Sequence, residues 1–404
     1  MFKINKISML NMATFMYLLT AYLFASSSLG NILLIIELLL IIFSSGDALK
    51  NVRYLKFLPM FGCMLLFIII CGVSVIVASD KAASLSMTLT MIKLFISSYI
   101  IFGAYENRDT IDDLLKIVMY VGYALVIISL IYYGPSTMMS IFREANTRID
   151  NALINSNTLG MAVAMSIVIN VYYIIYEGVS LYAILSLPSI FIIAASGSRK
   201  SLILLVLGTV MILIFKNLDN RSFIKRFLKI LITVTLLLIV GIIMIKLNVF
   251  GEINGRMLGL IAGLTGKGEV DHSTWLRQNY IQLGIDAFHK SPILGMGIDN
   301  ARLMTRAMYG YNHYLHNNYV ELLADVGILG FCAYYFMYVY ILKNEIKLIR
   351  IRDREVYVII TMTVILLIMD YGMVSYYAKE TYFYLTIIFL KIYQLKNNYS
   401  EGKV

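Results

Sequence analysis

Residues 57–78 read FLPMFGCMLLFIIICGVSVIVA, without one charged side chain. A helix of this length covers about 33 Å, and the hydrocarbon layer of a bilayer is about 30 Å thick. It has no polar face to offer water, so the stretch reads as a membrane span. Further runs of similar character lie on both sides of it, at 7–27, 29–45, 84–104, 114–133, 157–176, 180–196, 201–215, 229–247, 318–342, 356–374 and 381–395. Lipid offers backbone N–H and C=O groups no partners, so each run must close its own hydrogen bonds as a helix. The expected fold is all-α: a polytopic membrane helix bundle of about 12 transmembrane helices, forming a single transmembrane domain over residues 1–404.

Composition agrees. Of 404 residues, 60% are apolar and 14% charged, where soluble domains average about 45–50% and about 25%. A soluble chain of this size could not bury so much apolar surface. Disorder, a disulfide scaffold and a nucleic-acid-binding globule are excluded with it. Cys63, Cys71 and Cys332 fall inside apolar runs and read as small buried hydrophobes. The first apolar run is too long for a cleaved signal peptide and leads directly into further spans.

The net charge of +10 reports topology before partners. With both termini cytoplasmic, 20 Lys and Arg fall on the inner side and 13 on the outer, 7 of the latter in the loop 246–317. Long loops weigh little in this rule, so the orientation is set by 20 against 6. The expected location is the cytoplasmic membrane of a bacterium.

This orientation gathers the unusual polar features on one side. The loop 248–317, between the ninth and tenth spans, holds all four histidines and Trp275. It is too long to be a mere connector, and 273–290 has the spacing of an amphipathic helix lying over the bundle. On the same side lie the loop 134–156 and the turn Ser196-Gly197-Ser198-Arg199-Lys200.

Three groups of residues there are suited to chemistry. Arg199 and Lys200 in a small-residue turn read either as interfacial anchors or as phosphate ligands, for which a planar guanidinium is apt. Arg277 precedes Pro292-Ile293-Leu294-Gly295-Met296-Gly297, whose glycines permit either close approach to a ligand or a simple turn. His313 and His316 lie just before a helix expected to start near Asn317. The free N–H groups of that helix favour an anion, and an imidazole beside them suits proton transfer. The competing reading is a capping cluster, with Glu321 and Asp325 offsetting the helix dipole. Arg148, Asn155 and Asn157 precede another span, as a polar path or as a capped turn. Glu37 and Asp370 read as interfacial acids near span ends.

Taken together, these motifs resemble the O-antigen ligase and Wzy-type polysaccharide polymerase family. The resemblance rests on Ser196-x-Ser198-Arg199, on Arg277 followed by Pro292-x-x-Gly295-x-Gly297, on His316-Asn317-x-Tyr319-x-Glu321 continuing to Gly327 and Gly330, and on Arg148 with Asn155-x-Asn157-x-x-Gly160. It covers residues 145–330. It implies a metal-independent, cofactor-free glycosyltransferase of the GT-C type, acting on undecaprenyl-diphosphate-linked glycan donor and acceptor at the outer membrane face. A flippase and a chain-length regulator would be its partners. On this resemblance Arg199 and Arg277 would meet the donor diphosphate and His316 the acceptor proton. Arg148, Asn155, Asn157, Lys200, His313, Asn317 and Glu321 would line the substrate path. Heavy use of Ile, Lys, Asn and Tyr points to an AT-rich bacterium without an outer membrane, favouring a polymerase over a ligase. A lipid-linked-sugar flippase is the rival from another class, although its binding residues would be expected near mid-membrane.

Overall fold

The computed structural model describes residues 6–25, 27–46, 59–106, 111–143, 149, 154–218 and 272–400. Among them every element is helical: α1 (Lys6–Leu23), α2 (Ser28–Ser45), α3 (Pro59–Val77), α4 (Lys81–Tyr105), α5 (Ile111–Arg143), α6 (Ser156–Tyr172), α7 (Leu181–Ser196), α8 (Arg199–Leu218), α9 (His272–Lys290), α10 (Arg302–Tyr309), α11 (Asn318–Leu348), α12 (Arg354–Asp370) and α13 (Lys379–Ser400). Each expected span other than 229–247 coincides with a helix. That one lies outside the described residues, as do Arg148 and residues 248–271.

Seven of these helices are long and apolar enough to cross a membrane: α2, α3, α4, α5, α6 with its π-helical extension, α8 and α11. The helix α7 is apolar but shorter. The described residues are thus all-helical, and the chain is a multi-pass membrane protein. Outer faces carry bare apolar side chains such as Phe43 and Ile131, each 77% exposed, a composition suited to lipid rather than water.

Two boundaries differ from expectation for a backbone reason. The helix α5 kinks at Gly134 (φ 70°) and Pro135 and runs on to Arg143, so the expected loop 134–156 begins as helix. In α11 the chain breaks at Gly327 (φ 61°, ψ −166°) and then resumes. A left-handed glycine lets a helix change course without a Cβ clash.

The described residues form two compact units. The first comprises Met1–Thr14, Asn31–Ile111 and His272–Val404. Its interior is aromatic: Phe61 meets Tyr99 and Phe102 edge to face at 5.0 and 5.5 Å. Buried Lys391 on α13 pairs with Asp353 and Glu355 at 2.6 Å each, tying α13 to the start of α12. Both acids read as interfacial are buried in the protein, Glu37 away from the helix ends but Asp370 at the end of α12 as read. Glu37 lies midway along α2 and is 4% exposed. Asp370, 1% exposed, accepts hydrogen bonds from Ser375, from Tyr335 (2.9 Å) and from Asn318 (3.3 Å). Cys71 is buried, whereas Cys332 is exposed on α11.

The second unit comprises Phe15–Gly30 and Asp112–Asp271. Small residues bring its helices close, as is usual where lipid removes the hydrophobic drive for association. A Cβ on Gly122 of α5 would lie 2.3 Å from Ser166 Cβ on α6, and Ser166 donates across that contact to the Met119 carbonyl at 2.8 Å. Asn170 links three helices, accepting from Tyr123 and donating to Ser186, both at 2.8 Å.

Candidate functional site

In the first unit the site is built on the segment between α9 and α11. The helix α9 lies tight on the start of α11: a Cβ on Gly284 would meet Val320 Cγ1 at 2.4 Å and Leu315 Cδ1 at 2.5 Å. Asn317 caps α11, its side-chain oxygen accepting the Val320 N–H at 3.1 Å. The Glu321 carboxylate, 3% exposed, accepts the Leu315 N–H at 2.5 Å. Between these two fixings His316 adopts φ 59°, a left-handed conformation that costs a non-glycine residue about 1–3 kcal/mol. The flanking contacts of Leu315 and Asn317 thus hold the His316 backbone in that conformation.

Around His316 the side chains are aromatic. Its ring centroid lies 4.8 Å from His313 and 4.2 Å from Tyr314. Beneath both imidazoles sits Tyr280 of α9, 2% exposed, nearly parallel to His316 (10°, 6.1 Å) and to His313 (23°, 5.5 Å). The Tyr280 and Tyr311 hydroxyls share a hydrogen bond at 3.1 Å. Burial pushes the Tyr314 hydroxyl up, while the Arg277 guanidinium nearby pulls it down and Glu321 pushes it up. Arg277, His313, His316, Asn317 and Glu321 thus lie in one region of the first unit. Tyr280 was not among the candidates. The signal for it was its position three residues after Arg277, which puts both on one face of α9.

The glycines of the Pro292–Gly297 run serve the chain itself. A Cβ on Gly295 would lie 2.3 Å from the Asp325 carbonyl carbon, and one on Gly297 2.4 Å from Ala78 Cβ. Main-chain bonds dock the run against the break in α11: Met296 N–H to Ala324 O at 2.8 Å, Gly297 N–H to Asp325 O at 2.9 Å and Ile328 N–H to Pro292 O at 2.9 Å. The Asp325 carboxylate then accepts the N–H groups of Asp299, Asn300 and Ala301 at 3.0, 3.0 and 2.7 Å. Of the two readings of these glycines, ligand approach gives way to chain packing. Glu321 and Asp325 likewise tether loops instead of merely offsetting a dipole.

In the second unit, α7 ends at Gly197 (φ 62°) and α8 begins at Arg199. Buried Ser198 accepts the Ser201 N–H at 3.4 Å, and a Cβ on Gly160 would sit 2.4 Å from Ser201 Oγ and 2.6 Å from Ser196 Oγ. Arg199 is 7% exposed, far from the surface-anchor reading. A buried cation in the first turn of a helix runs against the helix dipole. The positive end of the helix and the guanidinium there both suit an anion. Asn155 caps α6, accepting from Asn157 (3.0 Å) and Thr158 (3.4 Å). The capping alternative therefore accounts for Asn155. The N–H of Ile149, one residue beyond Arg148, donates to Ala195 O at 3.0 Å.

Residues 181–335 match the family model described as O-Antigen ligase. This extent takes in the Ser196–Lys200 turn, all of α9 and α10, and α11 through Tyr335. No curated protein matches the chain. With its apolar helices, the chain is a multi-pass membrane protein whose residues 181–335 are similar to the O-Antigen ligase family.

Proposed function

We propose that the chain is a polysaccharide polymerase that joins undecaprenyl-diphosphate-linked repeat units at the outer face of a bacterial plasma membrane. The observation that carries this reading is the clustering of His316, His313 and Arg277 within the matched domain. An imidazole packed among aromatic rings, with a guanidinium close by, suits a transfer in which a proton leaves the acceptor while negative charge grows on a phosphate oxygen. The acceptor hydroxyl oxygen attacks the anomeric carbon of the donor. The bond from that carbon to the diphosphate oxygen breaks, and its electron pair stays with the diphosphate. His316 takes the hydroxyl proton. Arg277 is the cation of this cluster assigned to phosphate charge; Arg199 and Lys200 are proposed separately as anion ligands within the second unit. The reaction is taken to need no metal.

The choice of polymerase over ligase is supported by the Ile-, Lys-, Asn- and Tyr-rich composition. A ligase that attaches finished glycan to lipid A core presupposes an outer membrane. Deleting the gene tests the choice. Single lipid-linked repeats accumulate if the protein polymerises, finished long chains if it ligates, and inward-facing units if it flips lipid-linked sugars. The chemistry is tested with purified protein and lipid-linked repeat unit. His316→Gln is expected to lose about 100-fold or more in transfer with donor binding intact. A variant that keeps most of the native rate would reject His316 as the base.

A further inference from the structure

The Nδ1 of His313 lies 3.0 Å from the carbonyl oxygen of Tyr314. A carbonyl can only accept, so Nδ1 carries the hydrogen, and in the neutral ring Nε2 is then the basic nitrogen. The His313 main chain is fixed as well: its N–H donates to Thr305 Oγ1 at 2.8 Å, and that hydroxyl lies 3.0 Å from the His313 carbonyl. The two imidazole centroids are 4.8 Å apart and tilted by 32°, close enough for their nitrogens to communicate directly or through one water. Tyr280 lies nearly parallel to both rings and is itself held by Tyr311.

We propose that His313 and His316 form a two-imidazole proton relay, with His313 acting through His316 as a positioning and proton-accepting residue. The inference rests on the reading of His316 as the base. The balance is simple. His316 removes the proton from the acceptor hydroxyl as the new C–O bond forms and the diphosphate departs with the electron pair. That proton passes to Nε2 of His313 and from there to water, returning His316 to its basic form. No oxidant, metal or further reactant is needed. The His316 ring packs against Tyr280, His313 and Tyr314, and of these His313 is the one that carries a basic nitrogen to receive its proton. Other titratable or charged groups near the pair are Arg277 and Tyr280 on α9, Tyr311 and Tyr314 on the same segment, Glu321 on α11, and Tyr377 before α13.

The test compares His313→Phe, His313→Ala and His316→Ala in the full-length protein, measuring transfer rate against pH together with donor binding. His313→Phe keeps a flat ring on Tyr280 but cannot carry a proton. It is expected to lose about tenfold or more in rate, to change the shape of the pH–rate profile and to bind donor normally. His313→Ala is expected to regain rate when free imidazole is added, a response that purely structural damage would not give. Native rate and pH profile in His313→Phe, or a donor-binding His313→Ala that imidazole does not restore, overturns the relay. The underlying reading is judged separately by His316→Ala. If that variant is inactive while His313→Phe is fully active, the relay alone is wrong. If His316→Ala is fully active, the base assignment falls and the relay with it.

Discussion

The Asp325 carboxylate accepts the backbone N–H of Asn300 at 3.0 Å, and the Asn300 side chain accepts the N–H of Asp80 at 2.8 Å. Through this pair the break in α11 is joined to the start of α4. The same side-chain amide donates to Ser84 Oγ at 2.8 Å, so no part of Asn300 is idle. A carboxylate is apt at position 325 because three N–H groups converge on it, and two oxygens offer enough lone pairs to accept them all.

Asp325→Asn is expected to be strongly destabilising. An amide keeps one accepting oxygen and turns two donors toward N–H groups that also donate. Losing charge-assisted bonds and leaving buried donors unmet costs about 3 kcal/mol or more. Thermal unfolding in detergent reads this out, and an unchanged Tm would show that the bonds do not hold the segment.

Two glycines separate packing from propensity. Gly295→Ala places a methyl group against the Asp325 backbone at 2.3 Å, at a residue with φ 69°, and should cost about 2 kcal/mol or more. Gly72 of α3 has open space where a Cβ would go. Gly72→Ala should be neutral or stabilise by up to about 1 kcal/mol. Equal losses of Tm or of yield in the two variants would contradict this.

Arg199→Lys and Arg277→Lys are each expected to reduce transfer by about tenfold or more while the charge is kept. A lysine is a point charge and lacks the two-pronged contact a guanidinium makes with phosphate oxygens. Normal polymer at equal protein level, in either variant, would remove that residue from the proposed chemistry.

Asp299 predicts a pH effect. Burial raises its pKa to about 6, with Arg302 lowering it and Asp80 raising it. A carboxyl whose pKa is raised on folding makes ionisation unfavourable to the folded state. Its cost is fully present above about pH 6 and disappears as pH falls toward the ordinary value of 3.8. Asp299→Asn should therefore raise Tm at pH 8, and the difference should shrink as pH falls through 6 toward 4. A lower Tm for Asp299→Asn at pH 8, with the loss disappearing on acidification, would mean that the ion pair with Arg302, 3.1 Å away, outweighs burial.

Orientation can be read by single-cysteine labelling in a background without native cysteines. Met308→Cys, on the exposed face of α10, is expected to react with an impermeant reagent on intact cells. Arg350→Cys, between α11 and α12, is expected to react only after permeabilisation. The opposite pattern would invert the topology.

The helices were legible because a bilayer enforces a length and an apolar composition, and α3 satisfies both in its sequence alone. Breaks inside helices were harder to read, since Gly134 and Gly327 sit within apolar runs and only their positive φ makes them turns. At the candidate site the positions of Asn317 and His316 followed from a helix start. The use of Gly295 and Gly297 did not, because tolerance of close approach looks the same for a ligand as for another stretch of backbone. Asp325 was misread for a related reason. Its partners are N–H groups 24 to 26 residues earlier, and a main chain leaves no trace in residue identity. Buried Glu37 and Asp370 show the same limit: which way a helix faces depends on neighbours that hydropathy does not name.

The docking of Pro292–Ala301 on α11 also dictates an order of assembly during synthesis. The ribosome makes Asp80, Ser84 and Asn300 before it makes Asp325, so the earlier segments must wait for their acceptor. When α11 enters the membrane it carries a carboxylate about two turns from its start, and that group has no N–H partners within its own helix to collect. Insertion of α11 and capture of residues 299–301 are therefore expected to be a single coupled event late in biogenesis. A chain truncated before Asp325 would leave Asn300 and its neighbours without their anchor, exposed to whatever quality-control machinery surveys unfinished membrane proteins.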